Sequence, residues 1–318
     1  MLNSLFRRFL LAAMVAAFGI LMLAVSASAS AVQMGRVHPA AYSFTTLNDN
    51  ADPTFNQLLG INNHGEISGY FGSGATGHPN KGYTIVPPYG QNNYTDENFP
   101  GSIQTQVTGL NNLGDTVGFW VNGTGKNLGF VEWNGVFTSY KNPNTGMGTV
   151  NQLLGINDSG IAVGFYTDAN GVNHAYKLNQ ASGKFTAIVP PGSMHGAVAT
   201  GINDNGDIVG FLTASDGTTV AGFLLKGGHY TEFDFPGSTN TTPFGVNQND
   251  QIVGSYVDSN NAMHGFLLSS PLNNAHWKSI DDPNGIGTTV VNGINDHAQL
   301  VGFYVDGAGN TDGFLATK

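Results

Sequence analysis

An all-β fold, a β-propeller of six four-stranded blades, is what three observations on this 318-residue sequence predict. One short phrase is written six times: LLGINNHGEISGYF, VTGLNNLGDTVGFW, LLGINDSGIAVGFY, ATGINDNGDIVGFL, PFGVNQNDQIVGSY and VNGINDHAQLVGFY. Its first glycines, Gly60, Gly109, Gly155, Gly201, Gly245 and Gly293, stand 44 to 49 residues apart, and a second glycine follows nine residues after each. A period in the forties built of strand-like units marks a radial or stacked repeat protein. The composition agrees. With 45 glycines, 10% charged and 40% hydrophobic residues, the chain suits short strands joined by many tight turns around a real core.

The fourth copy shows how a repeat becomes a blade. Residues 199–202 form a short apolar strand ending at Asn203, and Asn203, Asp204, Asn205 and Gly206 are turn chemistry. Residues 207–212 alternate as a second strand, and a polar loop over 213–219 leads to a third at 221–225. Gly227 and Gly228 turn the chain into a fourth strand at 229–235, which Pro236 ends. Third strands fall elsewhere at 83–85, 130–133, 176–178, 266–268 and 314–316, and fourth strands at 94–98, 137–141, 185–189 and 277–281. The sixth copy stops before a fourth strand, while residues 42–47 resemble one and precede the first copy. Closing the ring with that N-terminal strand removes two free sheet edges. Each GIN strand is then innermost, and its glycine permits close backbone approach at the channel. The aromatics after the second glycine, Tyr70, Phe119, Phe165, Phe211, Tyr256 and Phe303, are expected to fill space between blades.

The first 31 residues are a separate object. Arg7 and Arg8 precede an uncharged apolar run over 9–25, and small residues place cleavage after Ala29 or Ala31, the layout of a secretory signal peptide. The run is also at the lower edge of what spans a bilayer, which leaves an uncleaved anchor as the alternative. Residues 32–318 then form a single propeller domain, in the periplasm or outside the cell. Without cysteine there is no disulfide framework and no lipid-attachment thiol. Loss of the leader leaves 9 basic against 21 acidic residues, a net charge of −12, with Arg36 as the remaining arginine. Such a surface excludes nucleic acid and anionic membrane as partners. A monomer is expected.

Third strands open with His174, Ala175 and Tyr176, and with His264, Gly265 and Phe266, each His 19 residues after its GIN glycine. Together with the GIN and VGFY elements, this resembles the bacterial extracellular repeats of the HAF family, named for a His-Ala-Phe tripeptide. The resemblance runs from about residue 42 to the end. It implies a secreted propeller-like protein and assigns no activity. The His position is Lys81, Leu128, Ala221 and Asp312 in the other copies, so no crown of six histidines exists.

Loops joining strands two and three, and those joining one blade to the next, should leave on one face. Candidate ligand residues there are Asp168, His174, Asp216, Asp258, His264 and Asp306. The stretch Asp168 to Gly171 looks like the start of a calcium loop but lacks the later bidentate Glu, and the plainer reading is an Asp bonding its own turn. No cofactor is firmly implied; weak calcium binding is an expectation to test. Asn62, Asn111, Asn157, Asn203, Asn247 and Asn295 recur at the channel end, where they either offer amides to a ligand or bond the adjacent turn. No catalytic residue is assigned: the four glutamates, Glu66, Glu97, Glu132 and Glu232, lie in different repeats, Asp234, Asp281 and Asp282 lie near outer strands, and His195 is a lone loop histidine.

The leading expectation is a secreted, non-enzymatic propeller binding a glycan or envelope component through its loop face, with Asn, Asp, Thr and loop-borne Tyr and Trp120 as contacts. The alternatives are a propeller hydrolase or lyase acting on a sugar or lactone, with calcium in the channel mouth, and a structural envelope protein. The enzyme requires three or more acidic or amide ligands converging at one mouth. The binding module predicts an exposed aromatic strip on the loop face. The structural protein requires neither.

Overall fold

The computed structural model describes residues 42–318 apart from 147–149, 215 and 271–275, so the leader lies outside the described residues. The protein is all-β. Its strands form antiparallel four-stranded sheets, one per repeat, each running in chain order from inner to outer strand. The first sheet holds Asn56–Ile61, Ile67–Phe71, Lys81–Ile85 and Tyr94–Asp96, and the second holds Gln104–Leu110, Thr116–Val121, Asn127–Trp133 and Val136–Tyr140. Asn151–Ile156, Ile161–Thr167, Asn173–Asn179 and Lys184–Ala187 make the third. The fourth (Ala197–Ile202, Ile208–Thr213, Val220–Lys226, His229–Phe233) and the fifth (Asn240–Val246, Ile252–Val257, Met263–Leu268, Trp277–Ile280) join into one eight-stranded sheet. That junction is a single parallel bridge, Val220 to Asn240. The last sheet holds Val290–Ile294, Leu300–Val305 and Thr311–Thr317, and its fourth strand is Ser43–Thr46 from the other end of the chain, paired Ser43 to Thr317 through Thr46 to Phe314.

The two glycines of each repeat have different causes. A Cβ on Gly109 would lie 2.8 Å from Leu154 O and 3.1 Å from Gly155 Cα of the next inner strand, so this glycine lets neighbouring inner strands touch. A Cβ on Gly118 would lie 2.0 Å from Gln106 O and 2.8 Å from a ring carbon of Phe130. The second glycine is therefore the floor on which a third-strand aromatic lies. Those third-strand rings, Tyr83, Phe130, Tyr176, Phe223, Phe266 and Phe314, are among the largest fully buried side chains. Of the aromatics one strand earlier, Tyr70, Phe119, Phe165 and Tyr256 are buried, while Phe211 and Phe303 are half-buried.

Every inner strand also carries a β-bulge just before its first glycine. The extra residue is Leu59, Thr108, Leu154, Thr200, Phe244 or Asn292, and these six line the middle of the central cavity. The bulge turns the strand end and aims its extra residue at the axis.

Candidate functional site

Antiparallel strands in chain order put the turns between strands one and two on one face of the molecule. Turns between strands two and three leave on the other, together with the connections between repeats. The two faces hold two different sets of polar groups.

On the first face, the six inner strands end around a cavity of about 120 Å³, room for about four waters. All six GIN asparagines are buried here. Asn157 is representative: its Oδ1 accepts from Ser159 N (3.2 Å) and Ile161 N (3.0 Å), and its Nδ2 donates to Asn203 O of the next repeat at 3.1 Å. The same bond runs from Asn62 to Asn111 O, Asn111 to Asn157 O, Asn203 to Asn247 O and Asn247 to Asn295 O. Asn295 returns to Asn62 O at 3.0 Å and completes the cycle. Both ends of each amide are thus engaged by backbone, which leaves little for a ligand.

The residues one position on were not singled out from the sequence, and they line the mouth itself: Asn63, Asn112, Asp158, Asp204, Gln248 and Asp296. They too link side chain to backbone around the axis, Asn63 N to Asn112 Oδ1 (2.9 Å), Asn112 N to Asp158 Oδ1 (2.7 Å) and Asp158 N to Asp204 Oδ1 (2.8 Å). Gln248 N donates to Asp296 Oδ1 and Asp296 N to Asn63 Oδ1, at 2.8 and 2.9 Å. Three carboxylates and three amides therefore converge at one mouth. Their oxygens chiefly accept from neighbouring repeats, and no group of three His, Asp or Glu among the described residues is arranged to hold a metal. The Asn, Asp or Gln that follows each GIN-type asparagine is the signal that would have found them.

The opposite, loop-rich face carries the predicted acids and histidines. The strand register places Lys81, Leu128, His174, Ala221, His264 and Asp312 opposite equivalent second-strand residues, so these positions are structurally one. Each loop aspartate caps its own turn. Asp168 Oδ1 accepts from Asn170 N (2.8 Å) and Val172 N (3.0 Å), Asp258 Oδ1 from Asn260 N and Ala262 N (both 2.8 Å), and Asp306 Oδ1 from Ala308 N and Asn310 N (both 2.8 Å). Asp216 accepts from Thr218 N and Thr219 N at 2.8 Å and from the Thr219 hydroxyl. These donors hold Asp168 and Asp216 below the usual carboxylate range, the Val172 N–H leading for the first and the Thr219 hydroxyl for the second.

Two repeats add a histidine and an aromatic ring. In the third, His174 Nε2 lies 3.0 Å from Asp168 Oδ2, and the imidazole stacks on Tyr166 with centroids 5.1 Å apart and planes at 23°. In the fifth, His264 stacks on Tyr256 at 5.1 Å and 24°, and its Nδ1 lies 3.0 Å from both oxygens of Asp281. Its Nε2 is 3.8 Å from Asp258 Oδ2, and the Asp281 bond raises the imidazole pKa above its ordinary value against the opposing effect of burial. Phe235 backs Tyr256 at 3.6 Å and 3°. Trp120 takes the corresponding place in the second repeat, stacked on Phe99 at 4.1 Å. The expected exposed aromatic strip is absent among the described residues: these rings are stacked and half-buried or buried, and the exposed Trp133 ends the strand Asn127–Trp133 towards the other face. His195 is exposed in a short 3₁₀ turn, Ser193–His195. Among the described residues no helix is long and apolar enough to cross a membrane.

No family model matches this chain, and no curated protein matches it. Solved structures do. TolB from Acinetobacter baumannii aligns with a TM-score of 0.52 at 11% identity over 85% of this chain and 66% of that one, so the match spans just under two thirds of TolB. The SapL1 lectin, solved in complex with alpha methyl fucoside, aligns with a TM-score of 0.50 at 11% identity over 80% of this chain and 89% of the lectin. Aleuria aurantia lectin, in complex with Fucalpha1-6GlcNAc, gives 0.48 at 13% identity over 82% and 91%. At these identities the likeness is one of fold, and the fold of these neighbours is the β-propeller.

Proposed function

We propose that the protein is an exported six-bladed β-propeller of the HAF type, its ring closed by the N-terminal strand, that binds a glycan through the loop-rich face. The cycle of asparagine bonds that returns from Asn295 to Asn62 supports six blades and closure, as does the pairing of Ser43–Thr46 with Thr311–Thr317. One observation carries the binding role. The same Tyr–His–Asp constellation, with nearly identical stacking, is built twice on one face, in the third and fifth repeats. A tyrosine–histidine stack offers an apolar ring edge for a sugar's C–H face, and a carboxylate beside it accepts from sugar hydroxyls. His174 and Asp168 are partly exposed, so a ligand can reach them.

The test is thermal unfolding of the purified protein across a polysaccharide panel, with calcium and with chelator, since a ligand of the native state raises the midpoint by mass action. The proposal expects a glycan-specific rise that His174→Ala/His264→Ala removes. A glycan effect that needs calcium favours the metal-dependent hydrolase or lyase, and no rise with any glycan leaves the structural envelope role.

A further inference from the structure

The six junctions between neighbouring repeats are not alike. Five are filled by apolar clusters, such as Val117, Leu153, Ala162 and Leu178 between the second and third repeats. Among the described residues no such cluster fills the junction of the first and second repeats, and the strand register shows why. Ser68 stands where the other five repeats have valine. Thr116 and Glu132, paired across the second sheet, stand where the others pair isoleucine, leucine or alanine. Glu97 stands where the others have Tyr140, Ile188, Phe233, Ile280 and Leu47.

These four positions border one junction, Thr116 bonded to Glu97 across it and paired with Glu132 within its own sheet. Thr116 Oγ1 donates to Glu97 Oε1 across the junction at 3.0 Å. A Cβ on Gly60 would find Ser68 Oγ at 2.8 Å, Leu110 Cδ2 at 3.0 Å and Gly109 Cα at 3.1 Å, which sets the serine hydroxyl between the two repeats. That hydroxyl is 0% exposed and has no hydrogen-bond partner, and Glu132, 8% exposed, accepts from Gly135 N through Oε1. None of the ion pairs among the described residues involves Glu66, Glu97, Asp115 or Glu132. Confined carboxylates with no countercharge and an unused buried hydroxyl are costly where five equivalent junctions are greasy.

We propose that the junction of the first two repeats is a site for a hard divalent cation, calcium in the first instance, held by the Glu97 and Glu132 carboxylates with the Ser68 and Thr116 hydroxyls. Calcium takes six to eight oxygen ligands in flexible geometry, so two carboxylates can be completed by hydroxyl, carbonyl and water oxygens. The site is distinct from the loop-face stations and from the channel mouth.

Chelator-treated protein at pH 8 is titrated with calcium chloride by calorimetry and by thermal unfolding. The expected result is a midpoint raised by about 5 °C at millimolar calcium, a response abolished in Glu97→Gln and in Glu132→Gln and weakened at pH 5. A second variant, Ser68→Val/Glu97→Ile/Thr116→Ile/Glu132→Leu, rebuilds the apolar junction; it is expected to fold without calcium and to ignore it. The proposal is overturned if wild type does not respond, or if either glutamine variant or the apolar variant responds as wild type does.

Discussion

Asn157→Ala separates a structural role for the GIN asparagines from a ligand-presenting one. The substitution removes three hydrogen bonds, from Ser159 N, from Ile161 N and to Asn203 O, at a site 4% exposed. At about 1 kcal/mol net each, and with the two N–H groups and one carbonyl left inside the structure, the expected loss is about 3 kcal/mol. For a domain of this size that is a fall of roughly 6–9 °C in the unfolding midpoint. Asn157→Asp keeps the two turn bonds and loses only the donor to Asn203 O, so it should lose less than the alanine variant unless carboxylate–carbonyl repulsion dominates. Denaturant unfolding of wild type and both variants gives the numbers. A loss under about 0.5 kcal/mol in Asn157→Ala, the range of an ordinary surface change, would refute the idea that the asparagine cycle holds the inner strands together.

Gly109→Ala drives a methyl into Leu154 O and Gly155 Cα and should cost about 2–3 kcal/mol, while Gly307→Ala, with nothing within 4 Å, should stay within about 0.5 kcal/mol; urea titrations compare them. Glu97 binds its proton more tightly folded than unfolded, so stability should fall as pH rises from about 4.5 to about 7 and level off above, by at most about 3 kcal/mol; Glu97→Gln should flatten that slope in unfolding midpoints taken without calcium. For His264 the sign is opposite: its raised folded pKa gives stability present below the unfolded value near 6.5 and lost as pH climbs through the folded one. Asp281→Asn should lower that pKa toward the ordinary imidazole range, read from the ring-proton shifts by NMR.

The repeat architecture was legible because its causes are local and are written six times. A glycine where strands touch, a second under a buried ring, and an Asn-initiated turn each leave a mark at fixed spacing. The exchanged strand was legible from the mismatch between the two ends, and Ser43–Thr46 falls inside the expected 42–47. Other features depend on which repeats become neighbours. Asn63 and Asp296 sit 233 residues apart yet bond across the mouth. Glu97 and Glu132, read along the chain as scattered acids in separate repeats, share one junction with Ser68 and Thr116. Aligning the repeats position by position, rather than searching each for a motif, exposes that junction, because one apolar layer turns polar in a single pair of repeats. The third-strand aromatics were underweighted for a related reason: only the cross-strand register shows each lying on the second glycine.

Glycan binding by the loop-rich face is the central functional claim. Titration calorimetry of the glycan that most raises the unfolding midpoint, against wild type and the His174→Ala/His264→Ala variant, tests it directly. Saturable binding by wild type, weakened at least about tenfold in the double variant, is the predicted result. Equal affinity in both proteins, or no heat with any glycan, would contradict it.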